Sequence, residues 1–251
     1  MKVGSQNRLT LGLDTSGPIG SVALREAGVL LSERTMQLGV HHGQSLVPEV
    51  QRLFRDCGRH VRDCGLVAVS IGPGSFTGLR VGVVFAKTLA YATGCQVAAI
   101  NTLLAIAHNS PSDVDRVQVV SDAQRSELFV EVFDRWPNGR WRSSSPVEIE
   151  NGEKWAAGLG NEAVVIGPGL EKFAQPLAGR CRVIDRVAWT PQAAILAKLG
   201  EQAVSDEALA DPWALEPSYL RKSSAEEKWE ARQRAVVDSR GSRVPQAADR
   251  L

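Results

Sequence analysis

The stretch Ser70–Ala90, SIGPGSFTGLRVGVVFAKTLA, restricts the fold more than any other part of the chain. Leu66–Ile71, which leads into it, is a nearly unbroken apolar run of strand length, the pattern of a strand covered on both faces. Gly72-Pro73-Gly74-Ser75-Phe76-Thr77-Gly78 then makes a glycine turn. Beyond the turn only Arg80 and Lys87 carry charge as far as Ala90. A helix that is apolar all round must be covered on more than one side. Leu79, Gly82, Val83, Ala86 and Ala90 fall on one of its faces; Val81, Val84, Phe85, Thr88 and Leu89 fall on the other. One face suits the helix's own sheet. The face with small residues at Gly82, Ala86 and Ala90 suits a second helix at close approach. The segment Ser45–Phe54 is a helix with Leu46, Val47, Val50, Leu53 and Phe54 on one stripe, and it is the intramolecular candidate for that cover. Side by side, the two helices make a slab whose apolar outer surface marks an association site.

The rest of the chain supplies a frame for this unit. Arg8–Asp14, Ile19–Arg25 and Val29–Arg34 are strands separated by tight turns, an antiparallel meander. Gln96–Ile100 is a further strand and Asn101–Ala107 starts a helix, so the first half reads β-β-β-α-β-α-β-α. The second half repeats the pattern without an evident repeat of sequence. Arg116–Val120, Glu127–Trp136 and Arg140–Ile149 are strands, the last two joined at Pro137-Asn138-Gly139. Glu153–Leu159 is a helix, Ala163–Ile166 a strand ending in Gly167-Pro168-Gly169, Leu170–Leu177 a helix and Arg182–Ile184 a strand. A final helix opens with Thr190 as N-cap and Pro191 in first position, and runs to Val204. The expected fold class is α/β and duplicated: two lobes, each with a mixed sheet and flanking helices. The lobes span residues 8–107 and 108–225, with the last helix (190–204) packing back on the first lobe. Residues 226–251 read as a polar, disordered tail.

Bulk properties exclude several functions. The chain has 251 residues, 43% hydrophobic and 23% charged, enough for two ordinary lobes with cores of their own. A net charge of +1 draws the whole protein neither to nucleic acid nor to a membrane surface. No apolar run reaches membrane-spanning length and no signal peptide opens the chain, which reads as cytoplasmic. Cys57, Cys64, Cys95 and Cys181 form no C-x-x-C pair and read as free thiols.

The candidate chemistry is thin. Asp14-Thr15-Ser16-Gly17 joins the first two strands, where a carboxylate and two hydroxyls can face a phosphate; the same residues are ordinary turn formers. The glycine turn fails the phosphate-loop pattern, because Leu79-Arg80 stands where Lys-Ser is required, and fails G-x-G-x-x-G by one position. It reads as a strand-to-helix turn needing positive φ. His41, His42, His60 and His108 give no i, i+4 metal pair. Neither Ser75 nor Ser126 has a histidine nearby in sequence, and the tryptophans form no stacking stripe.

SIGPGSFTGLRVGVVFAKTLA, with LGLDTSGPIGSVAL before it and INTLLAIA after it, resembles the TsaB family. SDAQRSELFVEVFD from Ser121 and LEPSYLR from Leu215 extend the likeness from about residue 8 to residue 221. These are the dimerisation subunits of the bacterial complex that makes threonylcarbamoyladenosine in tRNA, within the Gcp-like or M22 superfamily. The resemblance implies the actin, hexokinase and heat-shock-ATPase fold and a catalytically silent relative of the transferase subunit, TsaD. It implies pairing with that subunit through the first two helices of the first lobe. In the catalytic relative a metal-binding H-x-x-x-H begins just after the position of Asn101; Thr102 and Ile106 stand there in this chain, and neither binds metal as an imidazole does. His41-His42-Gly43-Gln44 departs from the family's single His followed by Ser-Glu.

The expectation is a scaffold with no catalytic residues, no metal and no cofactor. Its partner interface is Leu46, Val50, Leu53, Leu79, Gly82, Val83, Ala86 and Ala90, and arginine at Gly82 or Ala86 should break pairing without unfolding the lobe. The partners are a TsaD-type transferase subunit, a TsaE-type ATPase through the complex and tRNA indirectly, with a homodimer when the chain is alone. The main alternative is an ATP-binding, kinase-like enzyme on the same fold, with weak nucleotide contacts at Asp14, Thr15, Ser16, Gly167 and Gly169. An M22-type metallopeptidase is the remaining one, and without a metal pair it has little physical basis.

Overall fold

In the computed structural model, residues 9–37, 42–173, 177 and 179–221 are described. Strands β1 (Leu9–Asp14), β2 (Ile19–Glu26) and β3 (Val29–Gln37) form the antiparallel meander. Helix α1 (His42–Asp56) follows, then β4 (Cys64–Gly72), α2 (Phe76–Thr93), β5 (Gln96–Asn101) and α3 (Thr102–Ala107). β4 pairs in parallel with both β1 and β5, which gives the sheet order β3-β2-β1-β4-β5.

The second sheet is built the same way. Strands β6 (Arg116–Gln124) and β7 (Glu127–Arg135) are antiparallel, and β8 (Trp141–Ser143) and β9 (Glu148–Asn151) both pair with β7. Helix α4 (Gly152–Gly158) leads to β10 (Val164–Ile166), which lies parallel to β6, and β11 (Arg182–Val183) lies parallel to β10. The order β8-β7-β6-β10-β11 repeats that of the first sheet. The repeat reaches the sequence as well: Ile71-Gly72-Pro73-Gly74 ends β4, and Ile166-Gly167-Pro168-Gly169 ends the equivalent strand β10. Both leading glycines have strongly positive φ, +126° and +124°. A side chain is strained at that angle, which accounts for glycine at both places.

β4 shows why its apolar run is unbroken. Val67 and Val69 pack with Leu46, Val50, Leu53 and Phe54 of α1 and Val83 and Ala86 of α2. Leu66 and Ala68 face the other way, into a separate cluster with Leu196 and Leu199 of the last helix, α5 (Ala193–Ser205). Side chains alternate across a strand, so a strand covered on both faces needs apolar residues at every position. The α5 helix lies on the first sheet at close range: a Cβ on Gly12 would overlap the Ala193 carbonyl, and one on Gly200 would lie 2.5 Å from the Ala68 Cβ.

Several local expectations change. Arg140–Ile149 is two strands, broken over residues 144–147, where Pro146 has no donor for a ladder. Of the helix expected over Leu170–Leu177, the described start is a short 3-10 turn at Pro168–Lys172, and residues 174–176 lie outside the described residues. α1 begins at His42, so Ser45 lies inside it with a buried hydroxyl that has no partner. α5 begins at Ala193, with neither Thr190 nor Pro191 at its start. Its first amides are taken from outside: Ala193 N donates to Ser21 Oγ (2.9 Å) and Ala194 N to Glu33 Oε1 (3.0 Å). Such partners satisfy helix-start donors as a local cap does. One compact unit extends to Ser218, and residues 219–221 belong to a second. The tail expected at 226–251 lies outside the described residues.

Candidate functional site

The glycine turn is clamped onto the β1–β2 hairpin. Ser75 N donates to Ser16 O (2.7 Å), and Thr15 Oγ1 donates to Gly78 O (2.7 Å). A Cβ on Gly74 would stand 2.6 Å from Ser16 O, and one on Gly78 would overlap Thr15 O. Ser75 caps α2, its Oγ accepting from Gly78 N, and Gly94 closes the helix in the left-handed conformation. The hairpin that resembles a phosphate loop is thereby sealed. Asp14 and Thr15 have no exposed surface. Asp14 Oδ1 accepts from Ser70 Oγ (2.6 Å) and Ser16 N (3.1 Å), while Oδ2 is buried with no partner. Burial raises the Asp14 carboxyl above its ordinary range, against the opposing pull of the Ser70 and Ser16 hydrogen bonds.

The nucleotide contacts expected at Asp14, Thr15 and Ser16 are therefore buried, and the Thr15 hydroxyl is committed to Gly78. Gly167 and Gly169 sit in the other sheet, where Cβ atoms on them would run into the backbone of Val120 and Ser121 on β6. Their glycines answer to packing against β6. No hydrogen bond among the described residues joins the two groups.

The residues after β5 do structural work. Gly72 N donates to Thr102 Oγ1 (3.1 Å), so this hydroxyl holds the glycine turn. Ile106 is fully buried in the second lobe's core. Asn101 Oδ1 accepts from Leu103 N (2.7 Å) and Leu104 N (3.2 Å), capping α3, and Nδ2 donates to Glu131 Oε2 on β7 (2.9 Å). Burial, with Lys198 and Arg135 nearby, pulls His108 down to about 4, so its imidazole is neutral at neutral pH. No group of three His, Cys, Asp or Glu gathers among the described residues. No described helix is long and apolar enough to cross a membrane.

The residues expected at the interface are turned into the lobe. Leu46, Val50, Leu53, Leu79, Gly82, Val83, Ala86 and Ala90 are all buried, most of them in the first lobe's core. Their small side chains serve the helix-to-sheet contact: a Cβ on Gly82 would strike Thr15 Oγ1 and lie 3.4 Å from Val69 Cγ2. Arginine at Gly82 or Ala86 would strike the core, so neither change isolates a surface. What α1 and α2 turn outward is a set that shares only Leu46 with the expected one. Val47 is 46% exposed and Val84 60%. With Leu46, Val81, Phe85, Thr88 and Arg80 they line an apolar groove of about 400 Å³. Glu49 on α1 gathers two arginines: Arg34 Nε of β3 donates to its Oε2 (2.9 Å), and Arg52 bonds the same carboxylate. The Arg34 guanidinium holds the Glu49 carboxyl below its ordinary value.

Two like-built lobes, each with a 3-2-1-4-5 sheet whose middle strand carries the first hairpin, make a fold of the actin and hexokinase type. A family model for TsaD, tRNA N6-adenosine threonylcarbamoyltransferase, matches residues 37–136. The chain is 27% identical over 226 residues to the Bacillus subtilis tRNA threonylcarbamoyladenosine biosynthesis protein TsaB, covering 87% of this chain and 96% of that protein. The Escherichia coli protein of the same name is 27% identical over 168 residues, covering 65% of this chain and 72% of its own. A solved Pseudomonas aeruginosa structure, described as similar to peptidase YeaZ, superposes with a TM-score of 0.74 at 25% identity, over 85% of this chain and all of that one. Over most of its length the chain is similar to proteins named TsaB.

Proposed function

We propose that the protein serves the formation of threonylcarbamoyladenosine in tRNA as a non-catalytic subunit. It holds a TsaD-type transferase subunit on the outer face of α1 and α2, and the chemistry belongs to that partner and to a TsaE-type ATPase. The observation that carries this reading is the exposed apolar stripe across the two helices, with Val84 at its centre. Exposed apolar surface gathered in one groove is a mark of association. The family model named for the transferase spans the residues that form α1 and α2, so a transferase subunit carries a like pair of helices. Like surfaces pair readily about a twofold axis. The buried Asp14 and Thr15, and Thr102 and Ile106 in place of metal ligands, support a silent role. A standard interface of roughly 800 Å² per partner is within reach of two such helices.

Val84→Arg tests the reading. An arginine at the centre of the buried face is left without a partner, which costs several kcal/mol, so binding should weaken by at least about 100-fold. The side chain is exposed in the free protein, so the melting temperature should not move. Undiminished co-purification of the transferase subunit with folded Val84→Arg protein would show the face to be wrongly assigned.

A further inference from the structure

The stripe on α2 continues past Val84. Tyr91 lies two turns further along the same face and is 77% exposed. Against it stands Trp213, 72% exposed, from the far end of the chain. Their ring centroids are 5.8 Å apart and the planes meet at 78°, the edge-to-face arrangement that aromatic pairs favour. Both rings nevertheless leave most of their surface in water.

Trp213 is held there by a strap, residues 210–218, fastened along its length. Ala210 N donates to Val97 O on β5 (2.9 Å). Trp213 N donates to Asp211 Oδ1 (2.9 Å), which fixes the local turn. Lys87 Nζ, on the flank of α2, donates to the carbonyls of Trp213 (3.2 Å) and Leu215 (3.1 Å). Leu215 is buried in the first lobe's core, and Ser218 N donates to Ile71 O beside the glycine turn (2.7 Å). Every fastening is inward except the Trp213 ring, the one large apolar side chain this strap leaves outside.

Ordering a strap to hold an indole in water adds little to a monomer. Tryptophan and tyrosine on a rigid support are, however, the side chains that most often anchor an interface. We infer that Tyr91 and Trp213 form an aromatic anchor at one end of the surface that receives the transferase subunit, with Lys87 as the residue that positions Trp213. The inference rests on the reading above and adds to it that the last part of the compact unit takes part in binding. The occupant is argued from continuity: Val84 and Tyr91 share a stripe, and Trp213 touches Tyr91.

Calorimetric titration of the full chain with the transferase subunit tests it. Trp213→Ala and Tyr91→Ala should each weaken binding about 10- to 100-fold with no change in melting temperature. Trp213→Phe should recover part of the loss. Lys87→Met should weaken binding without touching the partner, and Lys87→Arg should restore it. If Val84→Arg abolishes binding while both alanine variants stay within twofold of wild type, the anchor is refuted and the proposed interface stands. If Val84→Arg also binds normally, both fall together.

Discussion

Replacing Gly78 by alanine sets two physical effects against each other, and the sign of the result decides between them. Gly78 lies in the first turn of α2, and helix propensity alone favours alanine by about 1 kcal/mol. The structure argues the reverse. The new Cβ would overlap the carbonyl oxygen of Thr15, a backbone atom that no rotamer change can move away. Relief requires the glycine turn and the β1–β2 hairpin to part. Overpacking of this kind costs about 1–3 kcal/mol. Parting also weakens the buried bond from Thr15 Oγ1 to Gly78 O (2.7 Å), for about 1 kcal/mol more. After the propensity gain is subtracted, Gly78→Ala should lose about 1–3 kcal/mol. For a unit of this size that is a fall of about 3–10 °C in melting temperature. Thermal unfolding followed by circular dichroism reads it, with Thr77→Ala, at an exposed position one residue earlier, as the control. A Gly78→Ala protein that melts at or above wild type would mean that the turn is not clamped on the hairpin and that Asp14 and Thr15 are not sealed.

Two other changes probe the same lobes. The Asp14 carboxyl is raised by burial, so the folded state holds its proton to higher pH than the unfolded state, and stability falls as pH rises from the ordinary carboxyl range through the raised value. Asp14→Asn, which keeps an acceptor for Ser70 and Ser16, should match or exceed wild-type stability at pH 7, with the difference shrinking as pH falls toward 4; urea titrations at several pH values would read it, and a gap that widens at low pH would contradict the burial argument. At the β6–β7 hairpin, Gln124, Arg125 and Ser126 have φ of +65°, +53° and +62°. Ser126→Gly should relieve one strained residue and raise stability by about 0.5–1 kcal/mol, or about 1–4 °C; a lower melting temperature would show the serine side chain to be needed there.

The elements of the first lobe were readable because its strands alternate or run apolar and its turns carry glycine, proline and aspartate. The meander, β4 and α2 lie within a few residues of where the sequence puts them. The outward face of α2 was not readable. With apolar residues all round, periodicity cannot say which side meets the sheet, and small residues suit a sheet as well as a helix. The sheet took Gly82 and Ala86 because Thr15 and Val69 come so near. Asp14 and Thr15 carried the composition of a phosphate hairpin, and only the packing of Gly74 and Gly78 shows them covered. The start of α5 was misplaced because its caps, Ser21 and Glu33, come from strands far away in sequence. The duplication did carry a signal that pattern alone overlooked: the repeated Ile-Gly-Pro-Gly at the ends of β4 and β10. Trp213 had none, since a lone tryptophan near a polar tail says nothing of Tyr91.

The position of α5 bears on how the chain is born. All five strands of the first sheet have been synthesised once Asn101 is made, yet the helix that covers Leu66, Ala68 and Ala98 begins only at Ala193. At ordinary bacterial speeds that interval is on the order of ten seconds. Throughout it, one greasy side of a nascent sheet stands bare, and a fragment stopped at Ala107 would keep it so. The N-terminal lobe is therefore completed by a helix that is made after the strands of the second lobe.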